Sequence, residues 1–325
     1  MRYLIFGESH GPAIGVTIEN PPCGLLLDDD FIASEMARRA PGGSVLATSR
    51  KETDRVEYLS GVLDGRTTGT PLCAVIRNTD THSSDYRGFF DTPRPSHADY
   101  TGRIRYQGFA DVRGGGHFSG RLTAPLVFAG AVAKLALAGR GVSVRAEISC
   151  VGGRKNPTPQ ELEDVILAAK ADGDSVGGAI CCSVTGLPAG LGAPDFGKNA
   201  EGIFAQHLFA VPAVKGIAFG AGFGFCSMRG SEANDPFCLE GGAVATATNH
   251  AGGVNGGITN GMPLVFEAAF RPTPSIAKEQ STVDLVHHTE TTLAISGRHD
   301  PCILPRAVVV VEAAAALAAC ELLGI

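Results

Sequence analysis

Leu122-Thr123-Ala124-Pro125-Leu126-Val127-Phe128-Ala129-Gly130-Ala131-Val132-Ala133-Lys134-Leu135-Ala136-Leu137-Ala138 is the stretch on which the fold turns. By length it is only just enough to cross a bilayer, and it carries Pro125, Gly130 and Lys134. A helix that is apolar all round is also what a large core requires, and that is the reading adopted here. Ala307 to Leu323 is a second apolar run of helical length, placed to dock the C-terminal end. With 44% hydrophobic and 18% charged residues over 325 positions, the chain has enough apolar material for one large core. No linker-like stretch divides it, so residues 1–325 are read as a single domain.

Outward from the core helix, strand and helix patterns alternate. Gly15 to Glu19 reads as a strand, closed by Pro21-Pro22. Asp28-Asp29-Asp30 opens a helix over Phe31 to Arg39, with acids at its start and Arg38-Arg39 at its end, as the helix dipole favours. Pro71 to Arg77, Val142 to Val151, Ala179 to Thr185 and Leu264 to Phe270 read as strands. Thr158-Pro159-Gln160-Glu161 is a capping box that opens a helix ended by Gly173, and Ala200 to Phe209 is another helix. Asn78 to Thr101 is polar and too long for a simple connection, which marks it as functional. An internal echo links Val16-Thr17 and Pro22-Cys23-Gly24-Leu25 with Val184-Thr185 and Pro188-Ala189-Gly190-Leu191.

Charge and cysteine content exclude some classes. A net charge of −6 argues against a nucleic-acid partner. Nine scattered cysteines without a CxxC pair predict reduced thiols in a cytoplasmic protein, and no leader pattern or membrane partner is expected. His287-His288 and the acidic triplet lack metal-ligand spacing, so no metal site is predicted.

The chemistry concentrates in Gly-rich segments. Arg113-Gly114-Gly115-Gly116-His117-Phe118-Ser119-Gly120-Arg121 leads straight into the core helix. Freed backbone amides, a helix start and flanking arginines suit a phosphate or carboxylate. Asn249 to Gly261 is a second Gly-rich loop, and Arg271-Pro272-Thr273-Pro274-Ser275 follows the strand after it. Arg94-Pro95-Ser96-His97-Ala98-Asp99 places an imidazole between a cation and a carboxylate, and Arg298-His299-Asp300 does the same before the last helix. Gly7-Glu8-Ser9-His10-Gly11 matches the G-x-S-x-G nucleophile elbow. Only six residues precede it, which leaves no room for the sheet an α/β-hydrolase needs there. The residues therefore point to a phosphorylated substrate beside a phosphorylated cofactor and to acid–base chemistry, without specifying the reaction.

These blocks, in this order, resemble the chorismate synthase family. The resemblance runs through Gly7–Gly11, Arg38-Arg39 before Pro41-Gly42, Asn78-Thr79-Asp80 and His97-Ala98-Asp99-Tyr100. It continues through Gly114 to Ala124, Ala213 to Gly216, Asn249 to Gly261 and Arg298 to Cys302. It implies an α/β (α+β) fold, a single-domain β-α-β sandwich with helices packed between sheets, and a homotetramer. It implies conversion of 5-enolpyruvylshikimate-3-phosphate to chorismate with loss of phosphate, dependent on reduced FMN, with NADPH as a candidate reductant.

Carried over by position, the resemblance makes His97 the group that protonates or neutralises the leaving phosphate. It makes His10 the proton donor near flavin N1 and Asp300 the base acting with N5. Ser9, Arg39, Arg94 and Arg121 would hold the substrate. His117, Phe118, Ser119, Pro212, Ala213, Gly256, Arg271, Pro272, Thr273, Pro274, Ser275 and Arg298 would hold the flavin. The chain departs from the usual pattern where Val45 replaces an arginine, His117-Phe118 an Arg-Ser pair, and Arg271 a lysine.

Overall fold

Two four-stranded antiparallel units, built alike, face each other across a layer of helices. The computed structural model describes residues 1–40, 54–79, 88–295 and 300–325. In the first half β1 (Arg2–Gly7), β2 (Ala13–Glu19), α1 (Asp29–Arg39), β3 (Val56–Ser60), the small hairpin β4 (Val62–Leu63) and β5 (Arg66–Thr67), and β6 (Leu72–Arg77) follow in turn. Then come α2 (Asp99–Arg105) and the core helix α3 (Thr123–Ala138). The second half runs β7 (Ser143–Val151), β8 (Arg154–Lys155), α4 (Pro159–Ala171), β9 (Gly178–Thr185), α5 (Ala200–Phe209) and β10 (Val214–Phe219). After the short α6 (Gly230–Ala233) and the hairpin β11 (Phe237–Glu240) and β12 (Ala243–Thr246), it repeats the earlier small hairpin as β13 (Val254–Asn255) and β14 (Ile258–Thr259). It closes with β15 (Leu264–Phe270), the hairpin β16 (Gln280–Asp284) and β17 (Thr289–Leu293), and α7 (Leu304–Leu322).

The sheet orders are β1-β2-β6-β3 and β10-β15-β9-β7-β8. Read from the other edge, the second is the first with β8 added: β7 for β1, β9 for β2, β15 for β6, β10 for β3. Every one of these pairings is antiparallel, so the class is α+β despite the alternation of strands and helices. The internal echo in the sequence is the visible trace of this repeat. Gly24 N donates to Thr67 O and Leu25 N to Thr67 Oγ1; Gly190 N donates to Thr259 O and Leu191 N to Thr259 Oγ1. Each threonine hydroxyl in turn donates to a proline carbonyl, Pro22 or Pro188. The strand match needs correction by two residues: Ile18 pairs Leu72 as Val184 pairs Leu264, so Val184 corresponds to Ile18 and not to Val16.

Period-two patterning sets the core. Ile14, Val16 and Ile18 of β2 and Ile180, Cys182 and Val184 of β9 are all fully buried, each set on the inner face of its sheet. Burying one such aliphatic side chain contributes roughly 1.5–3 kcal/mol. One continuous apolar cluster joins both inner faces to the helices between them. In α3 almost every residue is buried, including Leu126, Phe128 and Val132, because α1 and α7 pack on it and β2 and β6 cover it. The stretch Gly120–Ala138 is long and apolar enough to span a membrane, yet 78% of its window is buried inside this fold. Gly130 permits the closest approach to α7, since a Cβ there would lie 2.2 Å from Ala313 Cβ.

Candidate active site

Segments near the start of α3 and the start of α7 enclose a cavity of ≈ 280 Å³. Arg39, Arg94, Arg121, Arg271 and Arg306 line it, against one carboxylate among the described residues, Asp300. His97 faces the same space, while Val211, Pro212, Phe270, Ile303 and Val310 make an apolar wall. Gly114, Phe118, Ser119, Ala213, Thr273, Pro274 and Ser275 complete the predicted residues that reach it.

His97 is held on three sides. Its Nδ1 lies 2.6 Å from Asp99 Oδ1, and Arg94 Nη2 lies 2.8 Å from the same oxygen and 3.0 Å from Nδ1. Arg94 Nε also donates to Asp99 Oδ2 at 2.8 Å, and its guanidinium stacks 4.6 Å over the Phe89 ring. Burial would push the Asp99 carboxyl upward, but hydrogen bonds from Arg94 and His97 outweigh it and hold Asp99 well below the ordinary carboxylate range. Ser96, at φ +59°, takes a backbone form that non-glycine residues seldom adopt, and it turns His97 toward the cavity. Asp99 starts α2, a helix that the reading of Asn78 to Thr101 as one polar loop missed.

Arg39 and Arg121 meet on one buried carboxylate. Asp54 Oδ2 lies 3.1 Å from Arg39 Nη2, and Asp54 Oδ1 accepts from Arg121 Nη1. Arg121 Nε donates to Asn78 Oδ1 at 3.2 Å, and Asn78 Nδ2 donates to the carbonyls of Glu8 and Gly11. Asp300 Oδ2 lies 2.6 Å from Arg306 Nη1, and Arg306 Nε donates to the Arg39 carbonyl at 2.8 Å.

The glycine run works by close contact. Gly114 sits at φ +62°, and a Cβ there would lie 2.5 Å from His10 Nε2 and 2.8 Å from Ser9 Oγ. Ser9 and His10 are thus buried directly behind Gly114 and do not line the cavity themselves. Ser9 N donates to Gly116 O, and His117 Nδ1 lies 2.9 Å from Gly7 O, so the pentad and the glycine run are stitched together. His117 accordingly braces the pentad instead of facing the cavity. Arg113 is exposed and engaged with Asp111, and only Arg121 of the two flanking arginines lines the site.

Pro272 and Gly256 also lie off the lining. Gly256 precedes β15 whereas the cavity adjoins its far end, and a seven-residue strand separates its ends by roughly 20 Å. Arg298 and Val45 fall outside the described residues. Among the described residues no three His, Cys, Asp or Glu side chains converge as a metal site, and His287 is exposed and bonded to Asp284. All nine cysteines are free thiols. Sequence reading missed Asp54 and Arg306 and gave Asp99 no role of its own. The pairing of Asp99 with Arg94 and His97 was foreshadowed by their spacing, whereas Asp54 and Arg306 carry no local signal.

A flavin needs a flat apolar wall and donors for its polar edges and phosphate. Thr273 Oγ1 is buried on the lining with no hydrogen-bond partner among the described residues, and Arg271 pairs with no carboxylate among them. Burial lowers the Arg271 pKa, because its charged form is partly stripped of water there. With Pro212, Phe270 and Ile303 beside them, these residues fit such a group.

The sequence profile described as chorismate synthase matches residues 1–323. The chain belongs to the chorismate synthase family. The chorismate synthase of Thermococcus kodakarensis is 47% identical over 335 residues, covering 97% of this chain and 94% of that protein. That of Phocaeicola vulgatus is 44% identical over 338 residues, covering 97% and 94%. A solved crystal structure of a chorismate synthase superposes with a TM-score of 0.76 at 27% identity, covering 99% of this chain and 91% of that one. In this chorismate synthase family member the repeated halves place the cavity where their helices meet.

Proposed function

We propose that this chain converts 5-enolpyruvylshikimate-3-phosphate to chorismate and phosphate by a 1,4-anti elimination requiring reduced FMN, the last step of the shikimate pathway in aromatic amino-acid biosynthesis. The observation that carries the reading is the convergence of His97, Asp300 and five arginines on one cavity in a chain of this family.

Arg39 and Arg121 bind the anionic groups of the substrate from the α3 side. Arg94 and His97 meet the leaving phosphate, whose negative charge grows as the C–O bond breaks; a protonated imidazole and a guanidinium stabilise it there. Asp99 engages Nδ1 of His97, which directs the other ring nitrogen to proton transfer. Asp300 accepts the proton lost from the substrate, its carboxylate aimed by Arg306. Reduced FMN, when bound, supplies transient electron density to the substrate during C–O cleavage. Phe118, Ser119, Pro212, Ala213, Thr273, Pro274 and Ser275 would hold it, with Arg271 at an anionic group. His10, behind Gly114, would hold a proton for the reduced flavin. Pro272 and Arg298 complete the proposed flavin contacts.

Anaerobic incubation with the substrate and chemically reduced FMN tests the reading. Chorismate and phosphate should appear in equal amounts; no product from folded, flavin-binding protein overturns it. Replacing chemical reductant with NADPH and oxidised FMN then shows whether the chain reduces its own flavin. We place the enzyme in the cytoplasm as a homotetramer. The free thiols support the compartment. Light scattering should return four times the 33.5 kDa chain mass.

A further inference from the structure

We propose that Asp54 is the positioning residue of the substrate clamp: one buried carboxylate sets the geometry of both Arg39 and Arg121. This rests on the reading that those two arginines hold the substrate's anionic groups. Asp54's side chain has no exposed surface, and those of Arg39 and Arg121 keep 1% and 7%. Three buried ionic groups therefore share one contact, each carboxylate oxygen facing a different guanidinium. Two arginines brought this close repel each other unless an anion lies between them. Asp54 supplies that anion from outside the cavity, so the pair stays together before any substrate arrives.

The arrangement leaves the trio with a net positive charge next to the ligand space. With both guanidiniums already in place, little rearrangement is needed when the substrate's anionic group binds. The clamp is also tied to the rest of the site. Arg121 Nε donates to Asn78 Oδ1, and Asn78 holds the backbone of the Gly7–Gly11 turn. Arg39 Nη1 donates to the Arg121 carbonyl at 3.3 Å, which adds a backbone link between the two clamp residues. Asp54 touches none of the flavin-facing residues, most of which come from Pro212–Ala213 and from the chain after β15; Phe118 and Ser119 adjoin Arg121 but do not bond to Asp54. Its loss should be felt by one ligand and not the other.

The test is Asp54→Asn, which keeps the volume and removes the charge. Steady-state turnover is measured anaerobically with reduced FMN, and flavin affinity separately by fluorescence. The substrate KM should rise at least about tenfold with kcat within about threefold, while flavin Kd stays within about twofold. Arg121→Gln serves as the reference, and Asp54→Asn/Arg121→Gln covers the case in which the single aspartate variant fails to fold, because it removes charges of opposite sign together. In the Arg121→Gln background, losing Asp54 should raise KM by a smaller factor than in the parent, since one of the two partners it positions is gone. An unchanged KM in folded Asp54→Asn, fully additive effects, or an equal loss of flavin affinity overturns the proposal. If Arg121→Gln alone leaves KM unchanged, the clamp reading itself falls, and the proposal with it. If Arg121→Gln raises KM and Asp54→Asn does not, only the role of Asp54 falls.

Discussion

At the scale of single residues, His97 and Asp99 divide the work. His97 touches the cavity and Asp99 holds it from behind, so removing each should fail in a different way. His97→Ala should lower kcat by about 10²–10⁴ while flavin affinity changes little, as expected for lost general acid catalysis. Comparable losses in both would reduce His97 to a packing role. Asp99 has a folded-state pKa below its unfolded value of roughly 3.9. Its contribution to stability is therefore complete above that value and is lost as pH falls from there through the folded value. Asp99→Asn should melt at a lower temperature than the parent near neutral pH, and the gap should close below about pH 4. Melting curves across that range check it; a gap independent of pH would mean that the charge is not what Asp99 contributes. The triplet's chemistry was readable because its members lie within six positions, whereas Asp54 pairs with Arg121 across 67.

Among the elements, the helix–helix contact between α3 and α7 carries the most. Ala313 Cβ leaves no space for a side chain at position 130. Gly130→Val should therefore cost roughly 1–3 kcal/mol or more through overpacking, read as a lower denaturation midpoint with unchanged slope. The helices and long strands were legible because their signals are local. Asp28 caps α1 through Phe31 N at 2.9 Å, and the Thr158–Glu161 capping box is formed as its sequence predicts. The last helix begins at Leu304, three residues before the apolar run suggested, because Pro305 sits comfortably in a first turn. The strands β3 and β10 and the hairpins β11–β12 and β16–β17 were not legible. They are short or partly exposed, and their hydrogen bonds are made with distant chain, which no local period records. The pentad Gly7–Gly11 belongs at this scale too. It joins β1 to β2, a strand-to-strand turn, whereas a nucleophile elbow turns from a strand into a helix.

Taken as a whole molecule, the two halves are joined by charge as well as by apolar packing. Glu35 and Arg38 of α1, Lys134 of α3 and Glu312 of α7 form a four-residue network, shielded except at the exposed Arg38. Glu312 also accepts from Ala146 N at 3.1 Å, which reaches the second sheet. Burial would raise the Glu312 pKa, but Arg38 and Lys134 hold it below the usual range. Lys134→Met would leave two carboxylates facing one arginine and should cost about 3–5 kcal/mol. Chemical denaturation measures this, and a loss under about 1 kcal/mol would show the network to be solvated in effect. Lys134 also ties the core helix, so apolar by composition, to α1 and α7 by charge. The sequence by itself determined the helices, the main strands, the glycine-freed loops and the family, because these depend on spacing along the chain. Only the tertiary structure decided that both sheets are antiparallel halves of one repeat, that His10 stands behind Gly114, and that Asp54 joins Arg39 to Arg121. Those facts depend on which distant segments meet, and buried charges reveal their partners only when the chain has closed around them.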